Sequence, residues 1–213
     1  MEKFRSNLIA CGSSQLVGKT TFANLFKELF ELQHPDWTVI KESFAQPLRK
    51  ELNDIVLPKF GVNLFNCNKE DKELFRPLMI EWAKIRRKQS QGTYYTSLLE
   101  DRIKNYDLLN FSPKDKTIFI IDDFRYTSEV SGYQEDEDTW IRKMGGVIVH
   151  LSRYTVLHDV EPFRFYIKPK IPDEIINNSV IERIADFRMQ WETSDNIEER
   201  KKPVQNFINW FIQ

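Results

Sequence analysis

The stretch from Leu8 to Thr21 constrains the fold more than any other part of the chain. Leu8-Ile9-Ala10-Cys11 is a short apolar run of the kind that forms a buried strand, and Ser13 to Thr20 then reads S-x-x-x-x-G-K-T. That is the phosphate-loop pattern G-x-x-x-x-G-K-[ST] with serine at its first position. A loop that leaves a strand and enters a helix points successive backbone N–H groups at one anion, and the helix end adds partial positive charge. The expected nucleotide-binding residues are Ser13, Ser14, Gln15, Val17, Gly18, Lys19, Thr20 and Thr21. Lys19 would reach the terminal phosphates of a nucleoside triphosphate, and the Thr20 hydroxyl would ligate Mg2+. Phe22, Ala23, Leu25, Phe26, Leu29 and Phe30 follow at helical spacing, the context the motif requires. Gly12 precedes Ser13, so the tight turn is expected one residue early, in a loop one residue longer. The alternative is a Ser/Gly turn before an ordinary helix with an exposed lysine.

A chain of 213 residues suits one domain with insertions. Its 31 basic and 32 acidic residues nearly cancel, which argues against a general binder of polymeric nucleic acid or of membrane surfaces. Cys11 and Cys67 suit reduced thiols rather than a disulfide framework or a metal site. No apolar run approaches the ~20 residues of a spanning helix, and the polar start before Leu8 does not resemble a secretory signal. A cytoplasmic protein is expected.

Along the chain, helix is expected from about Gly18 to Leu32, strand over Thr38 to Phe44, and helix over Ala45 to Val56 with Pro47 in its first turn. Pro58 to Asn68 reads as a polar connection. A long helical pattern covers Glu70 to about Lys88, broken or restarted at Pro77. Another helix is expected over Tyr94 to Leu109, after the turn Ser90-Gln91-Gly92. Ser112 to Lys116 reads as a loop. Thr117 to Ile121 is a continuous apolar run that suits a strand buried on both faces of a parallel sheet. A helix is expected over Phe124 to Val130, an interruption over Gly132 to Asp138, and helix again to Met144. Val147 to Leu151 is the fourth strand. Arg153 to Pro172 has no clean period. Ser194 to Lys202 reads as a solvated charged run before a terminal helix, Val204 to Ile212, whose apolar face is Val204, Phe207, Ile208 and Phe211. Strands alternating with helices behind a phosphate loop predict a three-layer α/β fold with a central parallel sheet. It would form a single domain over 1–213, with a helical acceptor-binding insertion at about 45–110 and a lid at about 153–172.

Three groups of residues could carry chemistry. Asp122 and Asp123 end an apolar strand that should lie beside the loop, where a carboxylate can hold Mg2+; Asp123 would equally suit the N-cap of the next helix. Arg125 follows at the same sheet edge. Arg76, Ile80, Ala83 and Arg87 share one helical face, with arginine at both ends suited to phosphate, while Trp82 and Tyr94 or Tyr95 could stack on a base. Arg153, Arg164, Lys168 and Lys170 fit either a basic lid or a plain basic loop. His34, His150 and His158 share no metal-ligand spacing.

Several separated segments resemble one family, the deoxynucleoside monophosphate kinases of bacteriophages and related viruses. Ser13 to Thr21 looks like their phosphate loop. Phe44-Ala45-Gln46-Pro47-Leu48-Arg49 is similar to their Phe-Ala-x-Pro-[Leu/Ile]-Lys segment, with Arg49 in place of the usual lysine. Arg76-Pro77-Leu78-Met79 looks like their Arg-x-Leu-[Leu/Met] helix. Asp123-Phe124-Arg125 to Glu129 resembles Asp-x-Arg-x-x-x-Glu, and Met144-Gly145-Gly146-Val147-Ile148-Val149-His150 resembles their next strand.

The resemblance implies transfer of the γ-phosphoryl of ATP to a (deoxy)nucleoside 5′-monophosphate. Its cofactors would be ATP and Mg2+. Lys19 and Arg125 are the expected catalytic residues, with Arg153 added to the ATP site. Thr20, Asp122 and Asp123 are the expected metal ligands, and Phe44, Arg49, Arg76, Trp82, Arg87 and Arg125 the expected substrate contacts. The expected partner is a small-molecule nucleotide, not polymeric nucleic acid or membrane, and any self-association would be a homodimer. The competing expectations are another small-molecule kinase of this fold, acting on dephospho-coenzyme A or a sugar, and a phosphate-loop protein that binds nucleotide without catalysis.

Overall fold

The structure, a computed structural model, describes residues 4–106, 116–157, 163–168, 172–194 and 196–213. Its sheet begins with β1 (Leu8–Gly12), every residue of which is buried. The phosphate loop leads into α1 (Lys19–Gln33), and β2 (Thr38–Glu42) follows. Three helices then precede the next strand: α2 (Ala45–Phe60), α3 (Lys69–Gln89) and α4 (Thr93–Lys104). β3 (Thr117–Phe124) is followed by a short α5 (Ser128–Ser131) and by α6 (Glu137–Lys143). β4 (Val147–Leu157), β5 (Phe163–Tyr166), α7 (Pro172–Ile184), β6 (Phe187–Glu192) and α8 (Ile197–Phe211) complete the order.

β1 lies between β3 and β4, parallel to both; Ile9 stands opposite Ile120 on one side and Val147 on the other. β2 pairs outside β3, and β6 pairs in parallel with β4. The Arg153 carbonyl accepts from Ile167 and the next carbonyl, that of Tyr154, accepts from Thr193. Successive strand carbonyls point to opposite edges, so β5 and β6 flank opposite edges of β4. The antiparallel β5 therefore continues the β1 edge beyond the end of β1. The sheet is thus mixed where a parallel one was expected.

Helices cover both faces, giving the three-layer phosphate-loop architecture. On one face, α1 and α8 bury Phe22, Phe26, Phe30, Phe207 and Phe211 against Ile9, Cys11, Ile120 and Val149. Phe26 and Phe30 stack at 5.1 Å, and Phe207 meets Phe22 edge-on at 5.4 Å. On the other face, Leu52, Leu99, Trp140 and Ile181 from α2, α4, α6 and α7 cover Leu8, Ala10, Ile121 and Ile148. The helix after β1 and the helices after β3 thus lie on opposite faces, although the strands are neighbours. Such a switch point opens a crevice at the carboxyl ends of the two strands, where open α/β sheets bind ligands.

The apolar runs and the α1 period matched their elements, and the segments governed by capping or tertiary packing did not. α2 continues through Pro58 to Phe60. α3 is unbroken at Pro77. Pro77 and Glu73, whose carbonyl loses its helical partner, are both exposed, so water can satisfy that carbonyl. β3 runs on through Asp122 and Asp123 to Phe124, where a helix was expected to begin, and the following helix starts only at Ser128. The span 153–172 contains the end of β4 and all of β5, and the charged run from Ser194 mostly forms the first turns of α8. Expectations for Asp107 to Asp115, His158 and Lys170 lie outside the described residues. Among those described, no helix is long and apolar enough to cross a membrane.

Candidate active site

The phosphate loop sits at the switch point and is held from below by close packing. A side chain at Gly12 would come within 2.6 Å of the Phe124 ring and 2.7 Å of Ile181, so only glycine allows β3 and α7 this near. Gly18 has φ +98°, and a Cβ there would lie 2.6 Å from the Trp191 ring. The Trp191 indole N–H donates to the Val17 carbonyl at 2.8 Å, a buried bond that ties β6 to the loop. The missing glycine is explained beside it. The Ser13 hydroxyl donates to Asn178 Oδ1 at 3.1 Å, as do the Ser14 amide at 3.1 Å and the Ser14 hydroxyl at 3.3 Å. The Ser14 N–H is therefore engaged by α7.

Lys19 opens α1 and is buried. Its ammonium donates to the carbonyls of Ser13 at 2.9 Å and Ser14 at 2.5 Å, so it lies across the loop. Burial, and secondarily the nearby Arg125 guanidinium, lowers its pKa to about 8. Thr20 Oγ1 donates to Asp122 Oδ2 at 2.6 Å, which brings together an exposed hydroxyl and carboxylate from the two sides of the crevice. Two hard oxygen donors suit Mg2+, which usually keeps several waters and takes its other ligands from phosphates. Among the described residues no group of three or more His, Cys, Asp or Glu side chains forms a cation cage.

Asp123 is placed differently. Its Oδ1 accepts the Phe44 amide at 2.9 Å, and its Oδ2 accepts the Ala45 amide at 2.9 Å and the Ser43 hydroxyl at 2.6 Å. It caps α2 from across the sheet, not the helix that follows it in sequence, and so anchors the helical insertion to the crevice. One turn beyond the amides that Asp123 holds stands Arg49, whose side chain no hydrogen bond or ion pair engages among the described residues.

Arg125 follows β3 at the crevice. Its guanidinium donates to Glu174 Oε1 at 3.0 Å, and the same oxygen accepts the Gln15 amide at 2.6 Å. Its backbone N–H and that of Tyr126 both donate to Glu137 Oε2, at 2.8 and 3.0 Å. Glu137 is fully buried; desolvation, and then the neighbouring Asp136, raise its pKa to about 8. Arg153 donates to the Leu16 carbonyl at 3.2 Å and to Thr193 Oγ1 at 3.0 Å, so it touches the loop.

The expected acceptor residues are dispersed. Phe44 is buried, edge-on to Trp140 at 5.6 Å, rather than presented to a ligand. Arg76 pairs with Glu73 at 2.8 Å on the helix surface. Arg87 is buried, ion-paired with Asp136, with its guanidinium 3.5 Å from the Tyr126 ring centroid. It braces the turn that carries Arg125. The Trp82 indole donates to Glu51 at 2.7 Å; Tyr94 and Arg86 meet the same carboxylate, and Arg86 lies over the Tyr94 ring at 4.8 Å. This polar and aromatic cluster joins α2, α3 and α4.

The sequence reading missed Glu51, Arg86, Glu137, Glu174, Asn177, Asn178 and Trp191. Two signals could have found some of them. The alternation Phe187, Met189, Trp191 marks β6, and Pro172 followed by Asp173 and Glu174 marks a helix start.

No protein-family profile matches the chain, and no curated protein matches its sequence. Among solved structures, a dephospho-CoA kinase from Campylobacter jejuni superposes over 97% of this chain and 98% of that one, with a TM-score of 0.47 and 16% identity. At those values the likeness assigns no function.

Proposed function

We propose that the protein is a phosphate-loop kinase that transfers the γ-phosphoryl of ATP to the 5′-phosphate of a (deoxy)nucleoside monophosphate. One juxtaposition carries this reading: Lys19, the Thr20–Asp122 pair and Arg125 converge on one crevice, beside a helical insertion anchored there by Asp123. The acceptor is already an oxyanion, so the chemistry needs positioning and charge neutralisation more than a strong base. Lys19 would move from the loop carbonyls to the β- and γ-phosphates. Thr20 and Asp122 would hold Mg2+, which would neutralise phosphate charge. Arg125 would leave Glu174 to span donor and acceptor phosphates, and Arg49 would hold the acceptor. The Glu51, Trp82, Arg86 and Tyr94 cluster is the part of the insertion suited to a nucleobase, with a carboxylate acceptor, one cationic donor and ring faces in one place.

The test is ADP release from Mg·ATP with a panel of acceptors: each (deoxy)nucleoside monophosphate, dephospho-coenzyme A and simple sugars. Release specific to one or more monophosphates is the expected result. Release with dephospho-coenzyme A or a sugar alone would reassign the acceptor. ATP binding with no acceptor-dependent release would leave a nucleotide-binding module.

A further inference from the structure

α7 presents Glu174, Asn177, Asn178 and Ile181 at spacings of three, four and seven residues, which is one helical face. Along that face it touches both halves of the crevice. Asn178 Oδ1 accepts from Ser13 and Ser14 of the phosphate loop, and His150 Nε2 lies 3.3 Å from the same oxygen. The adjacent Asn177, itself buried, uses its Oδ1 to accept the Thr127 amide and the Thr127 hydroxyl, both at 3.0 Å, in the turn that carries Arg125. Glu174, one turn earlier, bonds Gln15 of the loop and Arg125 itself. Ile181 packs where a side chain at Gly12 would stand. The loop after β1 and the turn after β3 are more than a hundred residues apart in sequence, yet neighbouring positions of one helix hold both.

We infer that α7 registers the phosphate loop against the Arg125 turn, and that Asn177, Asn178 and Glu174 are positioning residues for the crevice. The inference rests on the reading that this crevice binds Mg·ATP. It assigns a role to the two serines of the loop: their hydroxyls face α7, and a phosphate would meet the remaining amides. The position that a glycine usually fills is here an anchoring point for a helix. Coupling of this kind is reciprocal, so loosening the Arg125 turn must be felt at the loop.

Asn177 supplies the discriminating test because its bonds to Thr127 lie outside the phosphate loop. Mg·ATP affinity is measured by calorimetry on the full chain, with folding checked by circular dichroism at the same temperature. Asn178→Ala should raise the dissociation constant about tenfold and Asn177→Ala about fivefold, within the range of coupling carried by packed networks. Asn177→Asp keeps the acceptor oxygen and should bring the constant back to within about twofold of wild type. Thr127→Val, which removes only the hydroxyl bond, should give a smaller loss in the same direction and serves if Asn177→Ala does not fold.

A helix that merely supports the fold would lower the melting temperature in these variants and leave the dissociation constant within about twofold; that result overturns the inference. Normal coupling in a protein that phosphorylates no monophosphate would overturn the kinase reading alone. Failure of the wild type to bind Mg·ATP overturns both.

Discussion

On the proposed reading the crevice has a donor half and an acceptor half, and the two are built in contrasting ways. In the donor half, backbone places the chemistry: a strand end, a loop bonded to itself through Lys19, and a helix start, with glycine where Phe124, Ile181 and Trp191 press closest. In the acceptor half, side chains on three helices place it, and most are bonded to one another, as in Trp82, Arg86 and Tyr94 around Glu51 or Arg87 on Asp136. A backbone device is specified by a few local residues. A side-chain device depends on which helices happen to face each other. Substitutions in the two halves should therefore fail differently, and that difference can be measured.

The largest expected effect is in the donor half. Lys19→Ala should lower turnover by about 10²–10³-fold, the range for loss of one preorganised electrostatic contact, with little change in far-ultraviolet dichroism. A variant of near-normal turnover would break the donor-half assignment.

The two aspartates of β3 sharpen the contrast next. Asp122→Asn should lower turnover about a hundredfold, with partial recovery at high Mg2+, because among the described residues its carboxylate hydrogen-bonds only Thr20. Asp123→Asn should act on stability, weakening a helix cap by about 1 kcal/mol, and should leave the Mg2+ dependence of the rate unchanged. If the two swap phenotypes, the metal lies on the other carboxylate.

Arg49 and Arg87 make the corresponding pair in the acceptor half. Arg87→Ala strands a buried Asp136 carboxylate and should destabilise the fold by about 3–5 kcal/mol, read as a lower melting temperature. Arg49→Ala should leave the melting temperature within about 1 °C and raise the acceptor KM about tenfold, as loss of a phosphate-binding cation would. An unchanged acceptor KM would remove Arg49 from the site.

The last prediction concerns pH dependence. Glu137 has its folded pKa raised from 4.5 to about 8, so its protonated form is the one the fold prefers. A raised folded pKa contributes stability that is fully present below the unfolded value and is lost as pH rises through the folded one. The wild type should therefore lose stability between about pH 5 and pH 8, and Glu137→Gln should flatten that slope in urea titrations at several pH values. An equal slope in both proteins would place the titrating group elsewhere.

How much of this was legible in the sequence follows the same division. The Leu8–Cys11 run, the loop, the period of α1 and the Thr117–Ile121 run were readable because each is set by local pattern and burial on both faces. Asp122 and Arg125 were readable as neighbours of the loop because parallel strands deliver their ends to one edge. The role of Arg87 was not, since helical spacing puts Arg76 and Arg87 on one stripe and Glu73 within reach of Arg76, but does not say that Asp136 will meet Arg87. Asp123 was ambiguous for a related reason: a cap next in sequence and a cap across the sheet look alike in one dimension. Asn177 and Asn178 carried no signal, because polar residues mid-helix acquire a role only from the two loops that packing brings to them.

The central claim is that the crevice moves phosphate from one nucleotide to another. ATP labelled at its γ-phosphate, incubated with Mg2+ and the monophosphate panel, tests it most directly. The label should appear in a nucleoside diphosphate with wild-type protein and fail to appear with Lys19→Ala. Label that stays in ATP, or is recovered only as inorganic phosphate, would contradict it.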